Sequence, residues 1–518
     1  IDEGPFQTNI KTDGFQLNWT TNEASSTIVR YGLTEAMGSE ISIDESVSEH
    51  TVELKDLQPA EFYYVQTVSV KDGFEAVSPI RLFSTASLSS GEIQVYFNQS
   101  IDTSFSNSNE EVPLSSSPTG IEEALLARIN AAKNSIDVCV YNTDLNMFVD
   151  ALSAAYNRGV QVRYINNDGS SNVGLIPDPS FPVLSVNRDA LMHNKYVVID
   201  AASTNDSWVL TGSLNFTQGN LFADYNNMVF IQDEALAKAY TWEFEEIWGG
   251  DQAQPNPTKS RAGAFKKNNT PHQFMINGKL VESYFSPSDN TTSAIVNAIQ
   301  TADTDLEFAV LSFTRDEIGT AVKAAKNRGV KTRGIIESSA DQGSEFSFLK
   351  NAGVDIVTHQ PDPLFHHKYA IIDASNSSSD PMVITGSHNW SSSAENRNDE
   401  NTLIIHDANV ANLFIQEFEA RWKEVGTTAV QLVPNIKGVE LDLFPIPVTN
   451  QLRVDVKTRF AKKLSLKFWS LNGQLLKTVD LSAPLQKLID LQELSNGLYI
   501  VTLQSDKEMM MRKIEVLR

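Results

Sequence analysis

Two short stretches of the chain carry polar residues whose types and spacing can do chemistry. The first is His193-Asn194-Lys195-Tyr196-Val197-Val198-Ile199-Asp200, followed by Gly212-Ser213-Leu214-Asn215. The second is His366-His367-Lys368-Tyr369-Ala370-Ile371-Ile372-Asp373, followed by Gly386-Ser387-His388-Asn389. Each places an imidazole and an ammonium two residues apart at the end of an apolar run. In a strand such residues share a face, so His193 points with Lys195 and His366 with Lys368. The apolar residues that follow anchor the strand in a core. The downstream Gly permits close backbone approach and brings a hydroxyl and an amide onto the next strand or turn. His367 is expected on the opposite strand face, in a structural role. His388 stands where the first copy has Leu214 and is read either as a substrate contact or as a polar loop residue.

The elements that must position these groups are themselves duplicated across about 92–425. Val95-Tyr96-Phe97 is echoed by Ser283-Tyr284-Phe285, the helical stretch around Ala124–Ala132 by Ala294–Ala302, and the strand Ile136–Asn142 by Leu306–Ser312. Asn157-Arg158-Gly159-Val160-Gln161-Val162-Arg163 is echoed by Asn327-Arg328-Gly329-Val330-Lys331-Thr332-Arg333, with each Gly where a helix C-cap belongs. Apolar strands alternate with amphipathic helices, which predicts two α/β units, each a mixed sheet covered by helices. A Ser-rich acidic insert at 98–119 and the linker 251–280 break the symmetry and are expected to be surface loops, the insert an inert loop or a lid.

The pattern His-x-Lys-x4-Asp with a downstream Gly-Ser-x-Asn, present twice, resembles the phospholipase D superfamily over roughly two-thirds of the chain. The resemblance implies a duplicated phospholipase D fold with pseudo-twofold symmetry that brings both motifs to one cleft. It implies that His193 is the nucleophile, forming a covalent phosphohistidine. His366 would protonate the leaving oxygen and then activate water or an alcohol. An imidazole pKa near 6.5 suits both tasks. Lys195 and Lys368, with Asn215 and Asn389, would hold the non-bridging oxygens, with Ser213 and Ser387 as further donors. Asp200 and Asp373 complete the motif and are expected to act indirectly. Family members often carry an orienting acid after Gly-Ser-x-Asn. Glu400 fits that place, or is a surface acid in the run Asn398-Asp399-Glu400-Asn401, while the aligned Asn226 is not acidic. The two histidines are therefore expected to be tuned differently. No cofactor and no metal are implied, because two lysines neutralise the phosphate.

The domains expected are a fibronectin type III-like β-sandwich at 1–90, a first repeat at 91–252, a linker at 253–280, a second repeat at 281–428 and a C-terminal β-sandwich at 435–518. In the first, roughly seven strands are read from stretches such as Phe15–Trp19, Thr27–Tyr31 and Phe62–Val68. Trp19, Leu54, Leu57 and Tyr64 are its expected core. Leu54-Lys55-Asp56-Leu57-Gln58-Pro59 with Tyr63-Tyr64 resembles the corner of fibronectin type III domains. The last domain has strands at Leu452–Val456 and Leu464–Phe468 and a hairpin turn at Asn472-Gly473. Its opening Leu443-Phe444-Pro445-Ile446-Pro447-Val448, its Ser495-Asn496-Gly497-Leu498-Tyr499 and its basic-apolar tail resemble the sorting domain that Bacteroidetes-type bacteria use for type IX secretion. Ile446 replaces the Asn usual in that opening.

Composition narrows the function. The formal charge is −24 over 518 residues. Residues 1–90 carry 14 acids against 5 bases and residues 435–518 carry 9 against 13, leaving −19 in the middle. Such a surface repels phosphate at long range and argues against a protein that simply coats nucleic acid. The single cysteine, Cys139, lies in an apolar strand and excludes an intrachain disulfide and a cysteine-based zinc site. No apolar run approaches the roughly 20 residues needed to cross a bilayer. Ile1 at the start is compatible with a removed export signal and equally with a shortened chain. The expected protein is thus a secreted or cell-surface phosphodiesterase acting as a monomer, since one chain holds both motifs. Phospholipid is its leading substrate, giving phosphatidate and an alcohol with transfer to other alcohols also open. Nucleic acid is the alternative, for which the linker bases Lys259, Arg261, Lys266 and Lys267 are candidate contacts, a solvated loop being the simpler account of them. A non-catalytic surface-binding protein is the third reading. The type IX secretion machinery is the expected partner of the C-terminal domain.

Overall fold

A computed structural model describes residues 1–106, 115–186, 190–359, 363–427, 439–445, 448–458, 464–470, 474–481, 486–504 and 509–518. Its contacts divide the chain into two units, Ile1–Trp422 and Lys423–Arg518.

The first unit opens with six strands, Glu3–Lys11, Gly14–Gly32, Ser39–Leu54, Phe62–Lys71, Phe74–Val77 and Arg81–Ser84. Six replace the seven expected because Phe15–Trp19 and Thr27–Tyr31 belong to one long strand, whose pairing with Ser39–Leu54 shifts register between Thr20 and Thr27. Trp19, Leu54 and Leu57 are buried as expected, but Tyr63 fills the core place given to Tyr64. Side chains alternate along a strand, so a one-residue slip exchanges the faces. The Tyr63 hydroxyl accepts the Gln58 N–H at 2.9 Å, closing the corner between strands.

Two eight-stranded mixed sheets follow. In the first the order is Val183–Val186, Gln161–Asn167, Ser135–Val140, Lys195–Ile199, Trp208–Gly212, Asn227–Ile231, Ile93–Phe97 and Ser115–Ser116. In the second it is Asp355–Thr358, Lys331–Ile336, Asp305–Val310, Lys368–Ile372, Met382–Gly386, Glu400–Ile405, Lys279–Ser286 and Gln273–Ile276. The first three strands of each are mutually parallel, and the motif strand enters antiparallel beside them. The motif strands are buried along their whole length, as a central strand covered on both faces must be. Helices Asn146–Asn157 and Asp316–Arg328 end against Gly159 (φ 94°) and Gly329 (φ 98°), left-handed positions that suit glycine. The duplication extends to buried ion pairs: Arg163 grips Asp137 at 2.7 and 2.8 Å, and Arg333 meets Glu307 at 2.8 Å.

The long helices Glu234–Trp248 and Ala408–Thr427 tie the two sheets together. Tyr240 packs edge-on against Phe285 of the second repeat, and Phe414 against Phe97 of the first. Each such buried ring contributes on the order of 1.5–3 kcal/mol by burial. The polar seam beneath them is also reciprocal. Asn401 donates to Thr211 Oγ1 at 2.6 Å, and Thr385 donates to Asn227 Oδ1 at 2.8 Å. The described start of the 98–119 insert is fixed to the second long helix, through Asp102 N–H to Gln416 O and Asn412 to Phe105 O.

The second unit has a three-stranded sheet (Val439–Phe444, Gln451–Thr458, Gln486–Asp490) and a four-stranded one (Leu464–Ser470, Leu475–Leu481, Gly497–Gln504, Met509–Val516). Leu452, Val454, Leu466, Phe468, Val501 and Ile514 lie in its core. Ile446 and the expected turn at Asn472-Gly473 fall outside the described residues.

Candidate active site

The motif histidines lie just before their strands, at the edge where the two repeats meet. The backbone there pairs across the repeats: His193 N–H donates to Asp399 O at 2.9 Å, and His366 N–H to Tyr225 O at 3.1 Å. Each imidazole is then held by a side chain from the opposite repeat. His193 Nδ1–H donates to the Glu400 carboxylate at 2.8 and 2.9 Å. His366 Nδ1–H donates to Asn226 Oδ1 at 2.9 Å. That Asn226 orientation is set by its Nδ2, which donates to Asn220 O at 3.0 Å. Both rings therefore keep Nε2 as the free lone pair.

Lys195 and Lys368 each spend one donor on the carbonyl of the histidine two residues earlier, both at 2.7 Å, and are fully buried. The four groups feel one another's charge. Burial first, then the charges of Lys368, Lys195 and His193, push His366 well below its ordinary value. Burial lowers His193 too, against the pull of Glu400. It brings Lys195 down to about 7, and burial with the Lys195 charge brings Lys368 well below its usual range. Burial pushes the Glu400 carboxyl up, but the charge of His193 and the hydrogen bond from it outweigh that, and the net is downward. The result is one cluster of two lysines and two imidazoles, reached by Glu400 and, at Lys368, by Asp224 as well; an entering anion would favour the protonated lysines.

Other expected residues fall into place or out of it. Asn215 and Asn389 sit half-buried on equivalent turns, each with a buried Oδ1 that lacks a partner; rotating either amide would present Nδ2 there instead. Gly212 and Gly386 allow those turns to form, since a Cβ would meet Asn227 O or Asn401 O at 2.2 Å. Ser213 is a correction. Its one hydroxyl proton goes to Asn226 Oδ1 at 2.9 Å, so it braces the partner of His366 and does not donate to a phosphate. Ser387 accepts the Asn401 N–H at 3.0 Å.

Asp200 and Asp373, expected to act indirectly, lie away from the imidazoles. Each stands five residues beyond its lysine, about 17 Å along an extended strand. Asp200 accepts the N–H groups of Lys133, Asn134 and Ser135, and Asp373 those of Asp303, Thr304 and Asp305. They tie the far end of the motif strand to the loop entering its neighbour. Lys266 is a second correction. Its ammonium is buried between Glu243 and Asp399, which hold it charged, so it is not available to a polyanion. The linker it belongs to is thereby pinned beside Glu400, with Gly263 N–H donating to Asp399 at 2.7 Å.

His367 is structural as expected: Nε2 donates to Glu417 at 3.0 Å, and Nδ1 accepts from Asn227 at 3.2 Å. His388 is buried, with Nε2 3.6 Å from Glu395, and neither ring nitrogen has a hydrogen-bond partner. Two site residues escaped the sequence reading. Asn226 was noted as a missing acid but not as the partner of His366. Tyr141 packs its ring edge-on to His193 at 5.1 Å, with Lys195 Nζ 5.8 Å from its centre, and looked like the end of an apolar strand.

Comparison with known proteins bears on the family of the two repeats and of the C-terminal domain. Residues 125–248 and 295–422 each match the family described as cardiolipin synthase, PLD-like domain. Residues 442–516 match the secretion system C-terminal sorting domain. The mouse mitochondrial cardiolipin hydrolase is 34% identical over 149 residues, 28% of this chain and 65% of that protein, so the chain spans a little under two thirds of that relative's length. A phospholipase D from Rickettsia felis is 31% identical over 140 residues, 27% of this chain and 67% of that protein. Among solved structures, the phospholipase D family member Nuc from Salmonella typhimurium is 29% identical, covering 28% of this chain and 93% of that one with a TM-score of 0.25. The sorting domain marks a type IX secretion substrate, secreted or held at the cell surface in the Bacteroidetes manner. With the PLD-like domain present twice, the chain belongs to the phospholipase D family.

Proposed function

We propose that the protein hydrolyses the head-group phosphodiester of a phospholipid through a phosphohistidine. The observation that carries this reading is the crossed support of the two imidazoles, Glu400 on His193 and Asn226 on His366. His193 Nε2 attacks phosphorus and the bond to the head-group oxygen breaks. The ring then carries a positive charge, which the Glu400 carboxylate balances. His366 begins protonated once the anionic phosphate has entered and raised its pKa, and it gives that proton to the leaving alkoxide. An amide partner stabilises the imidazolium less than a carboxylate does, which favours release of the proton. Neutral His366 next takes a proton from water. The hydroxide attacks phosphorus, the P–N bond breaks, and phosphatidate leaves with His193 restored. An alcohol in place of water gives transfer. Lys195, Lys368 and the turn amides of Asn215 and Asn389 would bind the non-bridging oxygens in both steps. One chain supplies every group, so the acting species is a monomer.

The test uses the full chain with EDTA present, on phosphatidylcholine vesicles and separately on plasmid DNA. Choline release without nicking is expected, and His193→Ala and His366→Ala should each abolish it. Nicking without choline release would replace lipid by nucleic acid as substrate. Activity that survives in either variant would overturn the mechanism.

A further inference from the structure

The mouth of the site differs from its interior. Three loops of the first repeat leave the sheet at the catalytic edge, as strand direction requires. Val140 lies opposite Lys195, strand Gln161–Asn167 runs parallel to the strand that ends there, and Tyr196 lies opposite Thr211. The segments 141–146, 168–182 and 213–226 therefore all emerge beside His193. They also touch one another: Gly174 N–H donates to Thr143 O at 3.1 Å, and Thr143 bridges Phe216. Tyr225 N–H donates at 2.9 Å to the carbonyl of Leu364, two residues before His366.

These loops expose large apolar side chains. On them Ile176 is 72% exposed, Val173 53% and Phe222 42%; outside them Leu364 and Leu191, each two residues before a catalytic imidazole, are both 39% exposed. Exposed apolar residues are ordinary singly, but three on loops that emerge together beside His193, with one more just before each imidazole, mark a docking surface. Charge says what docks. The three segments contain Asp144, Asp168, Asp178 and Asp224 and not one Lys or Arg. A strand of nucleic acid is held by bases along its backbone, and these three loops offer it acids. The chain as a whole, at −24, is repelled by any strongly anionic surface.

We infer that this rim is an interfacial binding surface that inserts into a phospholipid layer of low net charge, zwitterionic lipid above all. The inference rests on the phospholipid reading above. Val173, Ile176 and Phe222 enter the acyl boundary, and one head group at a time reaches the buried cations from the lipid plane. Affinity then comes from apolar contact and is insensitive to salt.

The experiment is flotation of the full chain with vesicles of pure phosphatidylcholine, of phosphatidylglycerol, and a gel-shift with single-stranded DNA. It is paired with turnover of monomeric dihexanoylphosphatidylcholine. Expected is binding to phosphatidylcholine vesicles that persists in high salt. The combined variant V173S/I176S/F222S should lower that partition about tenfold or more while turning over the monomeric lipid within about twofold of the native chain. Unchanged partition in the variant would overturn the surface, as would tighter binding to phosphatidylglycerol or DNA than to phosphatidylcholine. The two readings fail separately. Partition that depends on these side chains without any lipid turnover upholds the surface and removes the lipase. Turnover of the monomer with partition indifferent to them does the reverse.

Discussion

Replacing Glu400 by Gln keeps the shape of the side chain and an oxygen acceptor for His193 Nδ1–H but removes the charge. In the resting site this costs little, because burial keeps the imidazole neutral. Once Nε2 bonds to phosphorus, the ring is a cation with its Nδ1 2.8 Å from the carboxylate, and the Glu400 side chain is fully buried. Two unit charges about 4 Å apart at an effective dielectric near 20 attract by about 4 kcal/mol. The surviving amide hydrogen bond recovers part of that, leaving a loss of about 2–4 kcal/mol confined to the transition state and the intermediate. At 1.36 kcal/mol per decade, phosphoenzyme formation should slow roughly 30- to 1,000-fold with KM nearly unchanged. A soluble chromogenic phosphodiester followed by rapid quench measures both quantities. A variant within threefold of the native rate, or one whose defect lies in KM alone, would show that Glu400 only holds the ring in place. His193 would then not be the group that becomes charged.

Asn226→Asp places a carboxylate against His366, whose pKa burial and its cationic neighbours hold well below the ordinary value. The added charge raises it, so the general acid stays protonated to higher pH. The alkaline limb of kcat/KM should move up by about one unit or more, and an unmoved limb would remove His366 from that role. Lys195→Met should abolish activity yet stabilise the fold. Lys195 falls to about 7 on burial, against roughly 10.4 in an unfolded chain, so between those values the unfolded state binds more protons and stability rises with pH. The gain from Met, about 1–3 kcal/mol near pH 7 after the lost bond to His193 O, should shrink toward pH 10. Denaturant titrations at the two pH values check it.

The parts of this site that alternation controls could be read from sequence. His193 and Lys195 share a face because strands repeat every two residues, and duplication announced a second copy. What depends on the meeting of the repeats could not be read. Glu400 was singled out by its place after Gly-Ser-x-Asn, but the ring it serves lies 207 residues away, through the pairing of His193 N–H with Asp399 O. Asn226 looked like a gap in a pattern because an amide and a carboxylate differ in charge while accepting the same hydrogen bond. Lys266 sits in a Pro- and Asn-containing stretch that has every mark of a solvated loop. Only the helix carrying Glu243 shows that the loop is pinned. Asp200 could be given an indirect role from its place in the motif, but its partners, the N–H groups of Lys133, Asn134 and Ser135, depend on how the neighbouring loop packs.

The electrostatics of the chain then raise a question of supply. Burial works against the charge of Lys195 and Lys368, which Glu400 and, at Lys368, Asp224 support, while the chain as a whole carries −24. At physiological salt, charges more than about 8 Å away are screened, so the buried pair cannot draw a phosphate from bulk past the acids of the rim. Long-range steering, which serves enzymes whose clefts share the sign of their surface, is closed to this one. Delivery must come from a force that ignores charge, and the exposed Ile176, Val173 and Phe222 supply it by apolar contact. An acidic surface and a cationic site are therefore compatible demands when the substrate arrives in a lipid sheet: the surface rejects free polyanions, and the site accepts the one phosphate that the sheet presents.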